Sequence, residues 1–284
     1  MLNAASKILI PVALLLAACG GADKSATEAN SDKEAADILV AQAAQALDSG
    51  DYRTATLLLD SVDKTYRHEI EAGRAALRLR PKVMERKTAQ EVVELQTALQ
   101  AAKYTADSLR PKFTAVPRSK DNVEAYLIAK SVSADWRDRN GMIARMTPSG
   151  EFYVISSLQG RSARHRGMRL SGGGASATSG LAPIDKDAAL SSESVRIGGG
   201  QADTLGEFAV RMDGKPLTLD FIGGNKAPSV TLSAAQIHAI ADTWRYCRAI
   251  NLLQTGSSRL EQLKAKLQLA RDQQARASQN DENS

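Results

Sequence analysis

Three histidines, two cysteines, a run of arginines and several glycine-rich loops are the residues of this chain from which chemistry could be built. His68, His165 and His238 lie far apart. None stands in an HExxH or Cys-x-x-Cys setting, so metal-ligand spacing is absent. His165 has the most suggestive neighbours. It sits between Gly160 and Gly167 in a loop-like stretch where a serine could pair with it as nucleophile and base, although G-x-S-x-G does not occur. Arg161, Arg164, Arg166 and Arg169 fall in the same region with no acidic residue among them. Four guanidiniums so spaced could grip a phosphate or a sugar acid with paired N–H donors, whereas the plainer alternative is a solvated loop. Two glycine clusters invite a phosphate reading and fail it. Gly214-Lys215 lacks the upstream glycine and following hydroxyl of a P-loop, and Gly198-Gly199-Gly200 is not expected to open a helix. Cys247, between Tyr246 and Arg248 on the Trp244 face of a helix, reads as a small buried apolar residue rather than a nucleophile. No catalytic residue, metal ligand or cofactor is assigned.

The other cysteine has a stronger context. Lys7 supplies a short positive lead, Ile8 to Leu16 is an almost uninterrupted apolar run, and Leu16-Ala17-Ala18-Cys19-Gly20 follows. A charged start, an apolar core too short to span a bilayer and small residues before the cysteine make a secretory signal over 1–18. Leu-Ala-Ala-Cys-Gly resembles the lipobox of bacterial lipoproteins. That resemblance implies cleavage before Cys19, acylation of its thiol and attachment to a membrane through the acyl chains. Gly20 in place of Asp, and acidic residues scattered at Asp23, Glu28 and Asp32, imply the periplasmic leaflet of an outer membrane. Phe152 to Leu158 (FYVISSL) and Gly214 to Phe221 (GKPLTLDF) resemble stretches of Bacteroidota envelope lipoproteins, a group whose resemblance implies no particular activity.

Composition agrees with export. The formal charge of +5, or +4 without Lys7, would suit nucleic acid in a cytosolic protein. Outside the cytosol, headgroups or envelope polysaccharide are the expected counter-charges, and no nucleic-acid partner is expected. If Cys19 carries lipid, Cys247 has no intramolecular partner, so no disulfide framework is available. Aromatic residues are only 4% of the chain, which leaves a core of Ala, Leu, Val and Ile.

The elements that must position these residues are legible in the patterning. Residues 19–33 are small, polar and aperiodic and read as a flexible tether. Residues 34–110 read as a helical hairpin and a long helix. Ile38, Leu39, Ala43 and Leu47 form one face, Gly50 and Asp51 the reversal, and Ala55, Leu58, Leu59 and Val62 the second face. Ala46 to Ala55 resembles the turn of a tetratricopeptide repeat, but no second copy follows at 34 residues, and a plain hairpin is the simpler reading. From His68 the helix resumes through Ile70, Gly73, Leu77 and Met84. A kink or a short break is expected at Pro81, and a heptad seam runs Val92, Leu95, Leu99, Ala102, Ala106, Leu109. Residues 111–232 read as an antiparallel β domain, a sandwich or small barrel. Its strands are expected at 123–129, 141–146, 151–157, 168–170, 194–197, 206–211, 217–222 and 229–232. Residues 233–278 return to helix, capped by Ser233. Ile237, Ile240, Trp244 and Cys247 share its face, an interruption is expected at Gly256-Ser257-Ser258, and a second heptad seam runs Leu260, Leu263, Leu267, Ala270. The chain is expected to turn polar and fray from Gln273, with a disordered tail at 279–284.

The expectation is therefore an α+β protein whose long helices flank a β domain and pair with one another. Its expected role is a non-enzymatic, lipid-anchored binding or scaffolding module of the cell envelope, with a protein partner or an envelope glycan. The alternative is an envelope hydrolase using His165 and a loop serine. Nothing in the residues fixes the oligomeric state.

Overall fold

A computed structural model describes residues 24–120, 124–160, 163–187 and 192–282. The segment read as a secretory signal and Cys19 lie outside them. Among the described residues five α-helices are present: α1 (Lys24–Asp48), α2 (Tyr52–Thr65), α3 (Ile70–Leu109), α4 (Gly200–Arg211) and α5 (Ala234–Glu282). The strands are β1 (Phe113–Val116), β2 (Tyr126–Ala129), β3 (Gly141–Met146), β4 (Phe152–Gln159), β5 (Gly167–Gly172), β6 (Ala175–Thr178), β7 (Ile184–Asp187), β8 (Ser192–Gly198), β9 (Leu217–Ile222) and β10 (Val230–Leu232). The fold is α+β, and the long helices α3 and α5 pack together as the paired seams require. The chain divides into two compact units, residues 24–89 with 267–282, and residues 90–266.

The first unit is built on alanine. Ala36, Ala43, Ala46, Ala55, Ala72 and Ala76 are buried with Leu47, Leu59, Val62 and Val83, so the helices of this unit approach closely. Gly50 at φ +80° reverses the chain after α1, and the Asp51 carboxylate caps α2 by accepting the Thr54 N–H at 3.0 Å. Several expectations are corrected here. Helix begins at Lys24, inside the stretch read as tether, because Ser, Ala, Thr and Glu over 25–28 have adequate helix propensity even without a periodic apolar face. Ile38 is exposed and Ala36 takes the inward position. On α3, Ile70 and Leu77 face solvent while Ala72 and Ala76 pack inward, the small residues winning where backbones are close. Pro81 does not break α3. The hydrogen bond it forfeits is to the carbonyl of Leu77, itself an exposed residue. Arg80 is held by Asp60 at 2.9 Å and Asp63 at 2.5 Å, and Arg271 reaches Glu85 at 3.1 Å.

The second unit contains two antiparallel sheets, ordered β1-β2-β3-β4-β8-β7 and β10-β9-β5-β6. One apolar cluster draws Met142, Val154 and Val195 from the first sheet, Met168, Leu170 and Leu219 from the second, Leu205 and Phe208 from α4, and Ile237 and Ile240 from α5. The α4 segment corrects two expectations. Residues 206–211 are helical rather than extended, and the triple glycine does open a helix: Gly199 at φ +62° turns the chain directly into α4. Ala202, Leu205, Phe208 and Ala209 then bury at helical spacing. Ser233 caps α5 reciprocally with Gln236, at 2.8 and 3.3 Å. Helix α5 runs without interruption through Gly256 and on to Glu282, past the expected break and frayed end. Gly256 is a site of close approach: a Cβ there would lie 2.6 Å from Leu99 Cδ2.

Candidate functional site

The fold gives His165 two partners. Ser156 on β4 and Glu193 on β8 project from the same face of the six-stranded sheet, because Ser156 pairs with Val195 and Leu158 with Glu193 across adjacent strands. His165 drops onto that face from the connection between β4 and β5. Its Nε2 lies 2.7 Å from Ser156 Oγ and its Nδ1 3.3 Å from Glu193 Oε2, with the edge of its ring against Phe221 at 5.0 Å. The connection is tightly determined. Arg164 adopts φ +52°, a conformation an L side chain rarely takes. It is held there by three hydrogen bonds: Arg164 N–H to Glu193 Oε1, Arg166 N–H to the Ile222 carbonyl, and Asn225 N–H to the Ala163 carbonyl. A Cβ at Gly224 would strike the carbonyls of residues 163 and 164, so only glycine lets the two loops meet.

With the Glu193 carboxylate accepting from Nδ1–H, Nε2 is the acceptor for the Ser156 hydroxyl, the connectivity of a nucleophile, base and orienting acid. The surroundings differ from those of such a site. Ser156, His165 and Glu193 are each fully buried. Ser156 Oγ also accepts the Val195 N–H at 3.2 Å, which ties it into the sheet. Burial pushes the His165 imidazole below its usual range, and the hydrogen bond and charge of Glu193 oppose that only in part. The serine comes from a strand, where a loop serine was expected.

The four arginines do not converge. Arg161 lies outside the described residues. Arg164 and Arg166 are exposed, and Arg169 is bonded through Nε and Nη2 to Asp220, its cross-strand neighbour on β9, at 3.0 and 2.9 Å. The Asp220 carboxyl is held below the usual carboxylate range first by the Ser229 hydroxyl and then by Arg169. Cys247 is buried against the Gly150 carbonyl, and burial pushes its thiol up to about 12, as befits an inert residue. His68 and His238 are exposed and meet carboxylates, His68 with Asp32 and His238 with Asp213 and Asp242. Among the described residues no cluster of His, Cys, Asp and Glu could hold a metal ion.

An open site lies elsewhere in this unit. Strand β2 pairs with β3 only at Leu127–Met146 and Ile128–Arg145, and the chain then turns away, with the Val132 N–H donating to the Ala129 carbonyl. Residues 141–144 of β3 keep β4 on one side and lose β2 on the other. A cavity of about 350 Å³ fills that place, lined by all four of these residues, by Ala235, Gln236, Ala239 and Ile240 of α5, and by Trp136 and Asn140. Four consecutive strand residues can line one cavity only by presenting the strand's edge, since their side chains alternate between faces. Trp136 is held at the rim by Arg145, a buried cation at 5.4 Å from the Trp136 ring and 3.8 Å from that of Tyr126. Burial lowers the Arg145 guanidinium below its usual value, and its Nε has no hydrogen-bond partner among the described residues. A second hollow of about 340 Å³ adjoins the first through Ser131 and Ala239 and is lined by Lys112, Lys130, His238 and Asp242.

Comparison with known protein families, curated proteins and solved structures finds no match for this chain. Geometry therefore carries the functional argument alone. No periodicity in the sequence marks the groove, because it is made by a strand that stops short. Trp136 beside Asn140 and Gly141, at the start of a strand, was the available signal.

Proposed function

We propose that this chain is a lipid-anchored cell-envelope protein that acts as a non-enzymatic binding module, and that the groove between the open edge of β3 and the first turns of α5 is its binding site. The observation that carries the reading is the edge itself. Two of the four residues at 141–144 direct their backbone N–H and C=O away from β4, in a buried strand where unpaired groups are costly. The lipobox-like stretch Leu16–Gly20 supports the anchoring, and the half-buried Trp136 in the lining supports recognition of a partner rather than a transformation. Incorporation of a photo-crosslinking amino acid at Gln236 in cells tests the site, with the exposed Tyr104 as control position. Adducts confined to position 236, and labelling of wild-type but not Cys19→Ser chain by a lipid precursor, are expected. Absence of adducts at 236 overturns the reading.

One observation favours a second reading, the hydrolase: the 2.7 Å contact of Ser156 with His165, backed by Glu193. The burial of all three weighs against it. Covalent labelling of Ser156 by a fluorophosphonate, abolished in Ser156→Ala, would establish that reading instead.

A further inference from the structure

We infer that the groove takes an extended peptide, bound by strand addition to the free edge of β3, with an acidic side chain of that peptide meeting Lys130. This rests on the binding-module reading and specifies its ligand. Gly141, Met142, Ile143 and Ala144 contain none of the devices that usually blunt a strand edge: no lysine, no proline and no inward charge. At 3.3–3.4 Å per residue the free edge is roughly 13 Å long, enough to dock a strand of about four residues along the line that β2 abandons. The two walls suit alternating side chains. Ala235 and Ala239 keep the α5 wall low, and Trp136 adds an aromatic ring to the lining. Main-chain hydrogen bonds would then supply affinity and the walls selectivity.

Charge selects the acidic class. Among the residues lining the two hollows, the Asp242 carboxylate is taken by Lys112 at 2.8 Å, His238 at 3.2 Å and Arg245 at 3.3 Å. Arg139 at the rim is bonded to Asp135 at 2.5 Å. Lys130 is exposed, and its ammonium has no partner among the described residues, which leaves a cation uncommitted in the hollow that adjoins the groove. A glycan would use the tryptophan and the polar rim but would leave the backbone edge unmet.

The test uses the full chain with Cys19→Ser. It is titrated with a degenerate pool of hexapeptides that carry Asp or Glu at either end and Val, Thr, Ile and Leu between. Binding that slows amide hydrogen exchange at residues 141–144 is expected. Affinity should fall at least tenfold for the same pool N-methylated at alternate residues, which cannot complete a ladder. Lys130→Glu should lower affinity for the acidic pool at least tenfold and raise it for a pool ending in Lys, while Lys82→Glu in the other unit changes neither. Equal binding of the N-methylated pool, or no protection at 141–144 at millimolar acidic pool, overturns strand addition. If crosslinks at Gln236 persist in that case, the groove remains a binding site for another ligand class. If they too are absent, both readings fail.

Discussion

His165 shows how a single side chain can carry the outline of an active site and serve packing instead. Its ring is sealed between Phe221, Ser156 and Glu193, and each nitrogen has one partner. Removing a partner leaves a buried polar atom unmet, so Ser156→Ala is expected to lower unfolding free energy by about 1–3 kcal/mol in urea titration. A nucleophile outside the core would be nearly neutral. The pH response has a definite sign. Burial depresses the folded-state imidazole below its ordinary 6.5, so between that depressed value and 6.5 the unfolded chain binds more protons. The contribution of His165 is thus fully present above about pH 6.5 and is lost as pH falls through the lower folded value. Urea midpoints should drop between pH 7.5 and 5.5 in the wild type, and less so in His165→Gln. Position 165 stood out in the sequence, but its partners did not. Ser156 and Glu193 lie nine and twenty-eight residues away on strands that only sheet register brings side by side.

Glycines separate the elements that were legible from those that were not. Strands β3 and β9 match their expected limits because a short apolar run in β3 and a clean alternation in β9 lie between clear turns. The long helices were equally readable from their seams. The α4 segment was misread because Gly206-Glu-Phe-Ala-Val-Arg211 alternates over a short window, and the 3.6-residue period appears only when Ala202 and Leu205 are included. Strands β6 and β7, rich in small and polar residues at sheet edges, offer no apolar alternation to read. At Gly206 a Cβ would fall well inside contact with the Trp244 ring. Gly206→Ala should therefore destabilise by about 1–3 kcal/mol through overpacking, against a gain of about 1 kcal/mol in helix propensity. Gly256→Ala meets the end of the flexible Leu99 side chain, Cδ2 at 2.6 Å and Cγ at 3.3 Å, which can rotate away, so its thermal midpoint should stay within a few degrees of wild type. A bulkier Gly256→Ile should part α5 from α3 and lower that midpoint clearly.

Across the whole molecule, alanine dominates the core of one unit, while the other mixes alanine with larger apolar residues. The unit of residues 24–89 with 267–282 packs alanine-lined helices, and the unit of residues 90–266 encloses the mixed core beneath both sheets. Among the described residues no helix is long and apolar enough to cross a membrane. Under the proposed reading the acyl chains on Cys19 supply the attachment. Cys19→Ser is expected to move the protein from the detergent phase to the aqueous phase in Triton X-114 partitioning. The early start of α1 then has a consequence of its own. Only five residue steps separate Cys19 from Lys24, a reach of roughly 17 Å, against roughly 50 Å had the chain stayed irregular to Glu34. An acylated protein would be moored on a short line, its first helix rising almost from the lipid headgroups. The first turn of that helix stays near the bilayer unless extra slack is spliced in between Ala22 and Asp23.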